Sequence, residues 1–345
     1  MTNQYNDRTK ILSLKDLNGQ APEIYMICTN RSAGKTTFFG RYFVSRFLKY
    51  GEKFGLIYRF GYELSDCAEK FFKEIGLLFF PEYTMTSKKE ADGVYYNLYL
   101  NDIHCGYALA LNKADMIKKN SHLFSDTQRL LFDEFQSETN NYCPNEITKF
   151  ISIHTSIARG GGKQVRYLPV YMLSNPVSLL NPYFSAFDIA PRLQKNTKFL
   201  RGDGWVLENG FYDSASKAQK ESAFNRAFAG NKYVAYSSEN IYLNDSDTFI
   251  ERLSGGGKYV ATIKYEDSYF SIKEFPDLGI VYCDDKYDPS FPRKIALTTS
   301  DHQINYVMLK NNDMFFALLK SYFLRGCFRF KNIKCKTAII KALSF

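Results

Sequence analysis

Thr29-Asn30-Arg31-Ser32-Ala33-Gly34-Lys35-Thr36 ends on a glycine, a lysine and a hydroxyl in the order that grips a phosphate chain. Glycine lets a backbone approach the ligand closely, lysine reaches the β- and γ-phosphates, and the threonine hydroxyl holds Mg2+. The candidate nucleotide cradle is Asn30, Arg31, Ser32, Ala33, Gly34, Lys35, Thr36 and Thr37, with ATP and Mg2+ as the implied ligands. One position departs from the pattern, because Thr29 stands where the first glycine falls. A plain strand-to-helix turn with a lysine at the helix start would look similar, so other residues must decide.

They do so at Leu130-Leu131-Phe132-Asp133-Glu134, an apolar run followed by two adjacent carboxylates. Asp133 is the candidate Mg2+ acid beside Thr36, and Glu134 the candidate group that polarises an attacking water. Alone, such a pair reads as a solvated turn; downstream of a phosphate loop it becomes specific. A glutamate next to the aspartate also favours an additional-strand ATPase over a small GTPase, which positions water with glutamine. Leu173-Ser174-Asn175 closes another apolar run, and the Asn175 amide is placed to bond a γ-phosphate, although Asn-Pro is also an ordinary turn. Arg159 precedes Gly160-Gly161-Gly162-Lys163 at the end of a helical stretch. It suits an arginine finger for a neighbouring subunit, or equally a cation at a helix C-terminus.

These residues need elements to carry them. Ile24 to Cys28 reads as a buried strand and Lys35 to Tyr50 as a helix stopped by Gly51. Lys53 to Tyr58 predicts a strand ending in Arg59, and Tyr95–Leu100 with Tyr107–Leu111 a hairpin turning at Asn101-Asp102. Arg129 to Phe132 and Tyr167 to Leu173 predict strands, with a helix over Ile147 to Ile157 between them. Alternating strands and helices point to a parallel α/β sheet. After Asp213 the texture changes: 214–243 reads as a short helical linker, and strands are expected at Lys258–Lys264, Tyr269–Glu274 and Gly279–Cys283. A helix is expected from about Asp301 to Leu324. The expected domains are therefore 1–213, 214–243 and 244–345.

Of 345 residues, 45% are hydrophobic and 23% charged, which excludes a disordered chain. A net charge of +9 suits a polyanionic partner. Between His302 and Phe345 eight basic residues face one acid, Asp313. Seven cysteines without a CxxC pair, and four histidines, give no zinc pattern and read as free thiols in a reducing cytoplasm. A polar N-terminus and the lack of a long apolar run predict neither a signal peptide nor a membrane span.

The chain resembles the DNA-packaging ATPases of small tailed phages of the phi29 type. The resemblance is carried by Leu131-Phe132-Asp133-Glu134-Phe135, by Asn141-Tyr142-Cys143-Pro144-Asn145-Glu146, and by Leu173-Ser174-Asn175-Pro176-Val177-Ser178 with Asn181-Pro182-Tyr183-Phe184. A weaker match runs from Arg41 to Glu52, and similarity extends over nearly the whole length. It implies an additional-strand (ASCE) P-loop ATPase domain, a small linker domain, and a C-terminal ribonuclease H-like domain that has lost nuclease activity. It implies a homomeric ring, pentameric in that family, that drives double-stranded DNA into a procapsid through its portal, with a packaging RNA. Such a protein works in the host-cell cytoplasm, transiently attached to the procapsid. By position the resemblance assigns Lys35 and Thr36 to the P-loop, Arg31 to an arginine within it, Asp133 to Mg2+, Glu134 to catalysis and Arg159 to the trans-acting finger. Lys163 and Arg166 are left as alternative fingers, because the segment between Arg159 and Ser174 is slightly longer than in the family. Two other readings compete. One is a terminase large subunit whose C-terminal domain cuts DNA, for which Asp284, Asp285, Asp288 and Asp301 are the available acids. The other is a nucleic-acid binder with a decayed ATP site.

Overall fold

The computed structural model describes residues 14–139, 141–159, 164–179, 181–189, 192–193, 197–210, 213–228, 231, 249–253, 255–265, 268–299, 301–308 and 313–343. Two compact units divide the chain: Met1–Pro176 with Lys195–Asn240, and Val177–Gln194 with Ile241–Phe345.

The first unit is built on a nine-stranded sheet: β1 (Ile24–Thr29), β2 (Lys53–Tyr58), β3 (Met85–Glu90), β4 (Tyr95–Leu100), β5 (Ile103–Ala110), β6 (Thr127–Phe132), β7 (Val170–Ser174), β8 (Phe199–Gly202) and β9 (Trp205–Gly210). Their order is β3-β4-β5-β2-β6-β7-β1-β9-β8. The six strands from β5 to β9 in that order are parallel; β3, β4 and β8 add antiparallel edges. Continuous apolar runs such as Tyr25-Met26-Ile27-Cys28 are what a parallel sheet covered on both faces requires. The hairpin turns where expected, with Asn101 and Asp102 both at positive φ.

Helix α1 (Lys35–Tyr50) packs its apolar stripe onto the sheet, Phe39 and Phe43 standing against Tyr171 and Phe54. It ends at Gly51, left-handed at φ 67°, whose N–H caps the Phe47 carbonyl. Helix α2 (Cys67–Phe79) lies beside α1, with α3 (Ala114–Lys119) further on. Helix α4 (Glu146–Ala158) buries Phe150, Ile153 and Ile157 and connects β6 to the parallel neighbour β7. Strand β7 is shorter than the sequence suggests. Pro169 has no N–H for a ladder, and Leu168 gives its own to the Glu23 carboxylate at 2.7 Å instead of to a strand. Two short helices follow β9: α6 (Asp213–Glu221) and α7 (Ala223–Ala227), numbered after α5 (Pro182–Ala186). They fall in the expected linker, most of whose remainder lies outside the described residues.

The second unit takes in α5 and residues 177–194, which the sequence texture groups with the first domain. Its sheet contains β10 (Lys258–Tyr265), β11 (Ser268–Phe275), β12 (Ile280–Asp284), β13 (Lys294–Ala296), β14 (Val307–Met308) and β15 (Phe328–Phe330), in the order β14-β13-β10-β11-β12-β15. An antiparallel β10-β11-β12 meander with later parallel strands added beside its first member is the ribonuclease H-like arrangement. Helices α8 (Asp313–Leu324) and α9 (Ile333–Leu343) complete it around Phe323, Phe328 and Phe330. The helix expected from Asp301 begins only at Asp313. Upstream, the Asp301 N–H bonds the Thr298 hydroxyl, the Tyr306 N–H bonds the Gln303 carbonyl, and Val307 pairs with Ile295. Turn bonds and β14 pairing have taken the backbone groups a helix would use. All seven cysteines are free thiols, six of them buried and Cys327 half-buried.

Candidate nucleotide site

Strands β1, β6 and β7 end side by side, and their carboxyl ends carry the candidate residues. This is where open α/β sheets bind ligands. The loop after β1 is anchored by the buried Thr29 and Asn30, with the Thr29 hydroxyl donating to the Asn30 carbonyl at 3.3 Å. Positive φ falls at Ser32 (61°) and Gly34 (79°), while Thr29 keeps ordinary strand geometry. The threonine in place of the first glycine therefore costs the loop no forbidden backbone. Gly34 sits at the N-cap of α1, so the loop's N–H groups and the positive end of the helix face one place. Thr37 is buried on the next turn.

Lys35 is buried, and its Nζ donates to Asn175 Oδ1 at 2.7 Å. Burial lowers its pKa, and the Asp133 carboxylate opposes that most strongly. Asp133 accepts a hydrogen bond from the Thr36 side chain; its pKa is raised by burial, against the pull of Thr36 and Lys35. The two candidate Mg2+ ligands thus already touch, the oxygen donor set that a hard, octahedral cation takes. Glu134 has a left-handed backbone, φ 53°, and its N–H bonds Asp133 Oδ1 at 2.9 Å. Burial, then Asp133 and Glu138, raise the Glu134 pKa, while Arg31 and Arg59 lower it. Arg31 is ion-paired with Glu138 across the mouth of the loop. The buried Cys28 thiol at the base, pushed up to about 12 chiefly by burial, stays protonated.

Lys35, Thr36, Asp133, Glu134 and Asn175 thus converge. Arg159 does not join them. It is exposed at the far end of α4, where no hydrogen bond or ion pair holds it among the described residues. Thirteen residues rising about 1.5 Å each set the ends of α4 about 20 Å apart, and Glu146 marks the end near the site. Of the nearby cations, Lys163 lies outside the described residues. Arg166 caps α4, donating from Nη2 to the Ile157 carbonyl at 3.0 Å and from its N–H to Ala158.

Sequence reasoning missed the support beneath Glu134. Arg59, just past β2, is buried and donates through Nε to both Glu146 oxygens, at 3.1 and 3.0 Å. Its Nη2 reaches the carbonyls of Glu134 (3.3 Å) and Phe135 (2.8 Å), and its plane lies near the rings of Phe132 and Tyr142. Glu146 also accepts the Cys143 N–H at 2.8 Å. The available signal was a lone arginine closing an apolar strand.

A parallel sheet with a phosphate-loop lysine after β1, paired acids after β6, and β7 inserted between those strands defines an additional-strand P-loop nucleotide-binding fold, here followed by a ribonuclease H-like unit. The sequence matches the family described as Podovirus DNA encapsidation protein (Gp16) over residues 6–343, and the chain belongs to that family. It is 29% identical to the DNA packaging protein of Bacillus phage phi29 over 306 residues, 88% of this chain and 87% of that protein. The DNA packaging protein of Bacillus phage B103 is 27% identical over 313 residues, 89% and 92% of the two chains. Among solved structures, a chain of the bacteriophage Phi-29 viral genome packaging motor assembly matches with a TM-score of 0.54 and 26% identity, over 90% of this chain and 92% of that one. The Phi-28 gp11 DNA packaging motor shares the fold, with a TM-score of 0.56 and 16% identity, over 94% and 95% of the chains.

Proposed function

We propose that this chain is the ATP-hydrolysing subunit of a homomeric, pentameric ring that translocates double-stranded viral DNA into a preformed procapsid. The observation that carries the reading is the convergence of Lys35, Thr36, Asp133, Glu134 and Asn175 at the carboxyl ends of three neighbouring strands in a member of the DNA encapsidation family. Lys35 neutralises the β- and γ-phosphates, Thr36 and Asp133 hold Mg2+, and Asn175 bonds the γ-phosphate or the water. Bound Mg2+ supplies charge neutralisation on the phosphate oxygens. Glu134 accepts the water's proton, for which its raised pKa suits it. Arg159, one helix length away, serves the neighbouring subunit. The ring works in the host cytoplasm, on the procapsid portal and its packaging RNA.

The cutting alternative finds little support. Asp284 on β12 is held by Lys273 at 3.0 Å and Lys331 at 2.9 Å, and Lys331 also pairs with Asp285. The lysines occupy the carboxylates a metal would need, and no group of three or more candidate ligands occurs among the described residues. The central strand β10 carries the buried Lys264. Much of the basic C-terminal stretch is likewise engaged: Arg329 with Glu251 and Lys341 with Asp188. Arg325 and Lys334 stay exposed and are offered to the polyanion.

The test is DNA-stimulated ATP hydrolysis together with nuclease protection of DNA packaged into procapsids. Lys35→Ala removes both activities, Asp133→Ala weakens Mg2+-nucleotide binding, and Glu134→Gln binds nucleotide without turning it over. Equal loss of ATP affinity in both carboxylate variants would overturn the separate roles.

A further inference from the structure

Ser32 is the apex of the phosphate loop and the one residue there with a side chain and a left-handed backbone, φ 61°. That conformation is disfavoured for any residue with a Cβ, so something outside the loop has to hold it. The only described side chain bonded to its hydroxyl is Gln219 on α6, whose Nε2 donates to Ser32 Oγ at 2.7 Å, across 187 positions of sequence. The Gln219 amide is itself oriented. Asn225 Nδ2 donates to Gln219 Oε1 at 3.0 Å and to its main-chain carbonyl at 2.7 Å, which leaves Nε2 to face the loop. Asn225 is in turn fixed by Ser222, the N-cap of α7, whose hydroxyl accepts its N–H.

We infer that Gln219 is a positioning residue for nucleotide binding: it latches the α6–α7 corner to Ser32 and holds the loop in its phosphate-accepting form. The inference rests on the nucleotide-binding role proposed above. Because the latch joins two elements, the effect must run both ways: if Gln219 aids nucleotide binding, bound nucleotide must steady α6 and α7 to the same extent.

The experiment uses the full chain with Mg2+ and two probes, ADP and a non-hydrolysable ATP analogue. Gln219→Leu keeps bulk and helix preference but removes the donor. It is expected to weaken binding by about three- to tenfold, the worth of one exposed hydrogen bond. In a Ser32→Gly background, where the left-handed backbone needs no support, the same substitution is expected to change nothing. In the unaltered chain nucleotide slows amide exchange over 213–227, and in Gln219→Leu that protection is lost. Unchanged affinity in Gln219→Leu, or an equal loss with and without Ser32→Gly, overturns the inference alone. Failure of the unaltered chain to bind either probe overturns the nucleotide reading and the latch together.

Discussion

Replacing Arg59 by methionine tests how the Glu134 peptide is held. The substitution keeps the bulk against Phe132 and Tyr142 but deletes the cation. Glu146, whose side chain is 1% exposed, then becomes a buried carboxylate that has lost the cation facing it, with the Cys143 N–H still donating to it. Removing one partner of a buried pair costs about 3–5 kcal/mol, and losing the donor to the Phe135 carbonyl adds about 1 kcal/mol. The single substitution should therefore cost about 4–6 kcal/mol, a large part of the stability of an ordinary domain. Arg59→Met combined with Glu146→Gln removes both charges, and should recover about 2 kcal/mol or more of that loss. The chain supplies its own probe: its one tryptophan, Trp205, is buried in β9 of the first unit. Urea unfolding followed by Trp205 fluorescence reads that unit, and a constant slope against denaturant keeps the comparison valid. A cost below about 1 kcal/mol for Arg59→Met, or strict additivity in the double variant, would refute the account of a charge clamp.

Three further outcomes follow from the charges. Because Glu134 titrates above the ordinary carboxylate value of 4.5, ATPase activity should fall as pH drops through that raised pKa, and Glu138→Gln should move the acid limb of kcat to lower pH. Lys53 donates to His104 Nδ1 at 2.9 Å and to Asp126 at 2.7 Å, the Gly106 carbonyl faces His104 Nε2 at 3.0 Å, and the Asp126 charge acts on the ring to raise its pKa. Burial and then Lys53 lower the His104 pKa below 6.5, so the unfolded chain binds the proton better and stability declines as pH falls below that value; His104→Gln should flatten this decline in unfolding free energy. Arg159→Ala should bind ATP nearly normally yet lose about 10³–10⁵ in turnover, and mixing it with Glu134→Gln should restore part of the activity. Co-assembled rings that regain nothing would rule out action in trans.

What sequence could reveal depended on how local the cause was. Helix α1 was legible to the residue because Lys35 begins its apolar spacing and Gly51 can take the left-handed cap. The β4–β5 turn was legible for the same reason, since Asn101 and Asp102 tolerate positive φ. The phosphate loop and the Asp133-Glu134 pair were readable as motifs, and their approach to Asn175 followed once three strand ends met. What stayed hidden was set by distant partners. The short β7 depends on Glu23 intercepting Leu168, and the late start of α8 on Thr298 capturing Asp301. Arg59 was visible as the end of a strand, but its clamp needed Glu146, 87 residues away. No periodicity marks Gln219, because only the folded loop shows that Ser32 needs support.

The burial of six thiols has a practical side. A maleimide dye reacts with exposed sulfur, so Cys327 is the position at which the native chain takes a label first. That fluorophore would sit between α8 and β15, in the unit that lacks the phosphate loop. Subunits of the proposed ring could then be counted by stepwise photobleaching without first removing any cysteine. Conversely, a second dye incorporated per chain would report that a core such as that around Cys67 or Cys335 had opened.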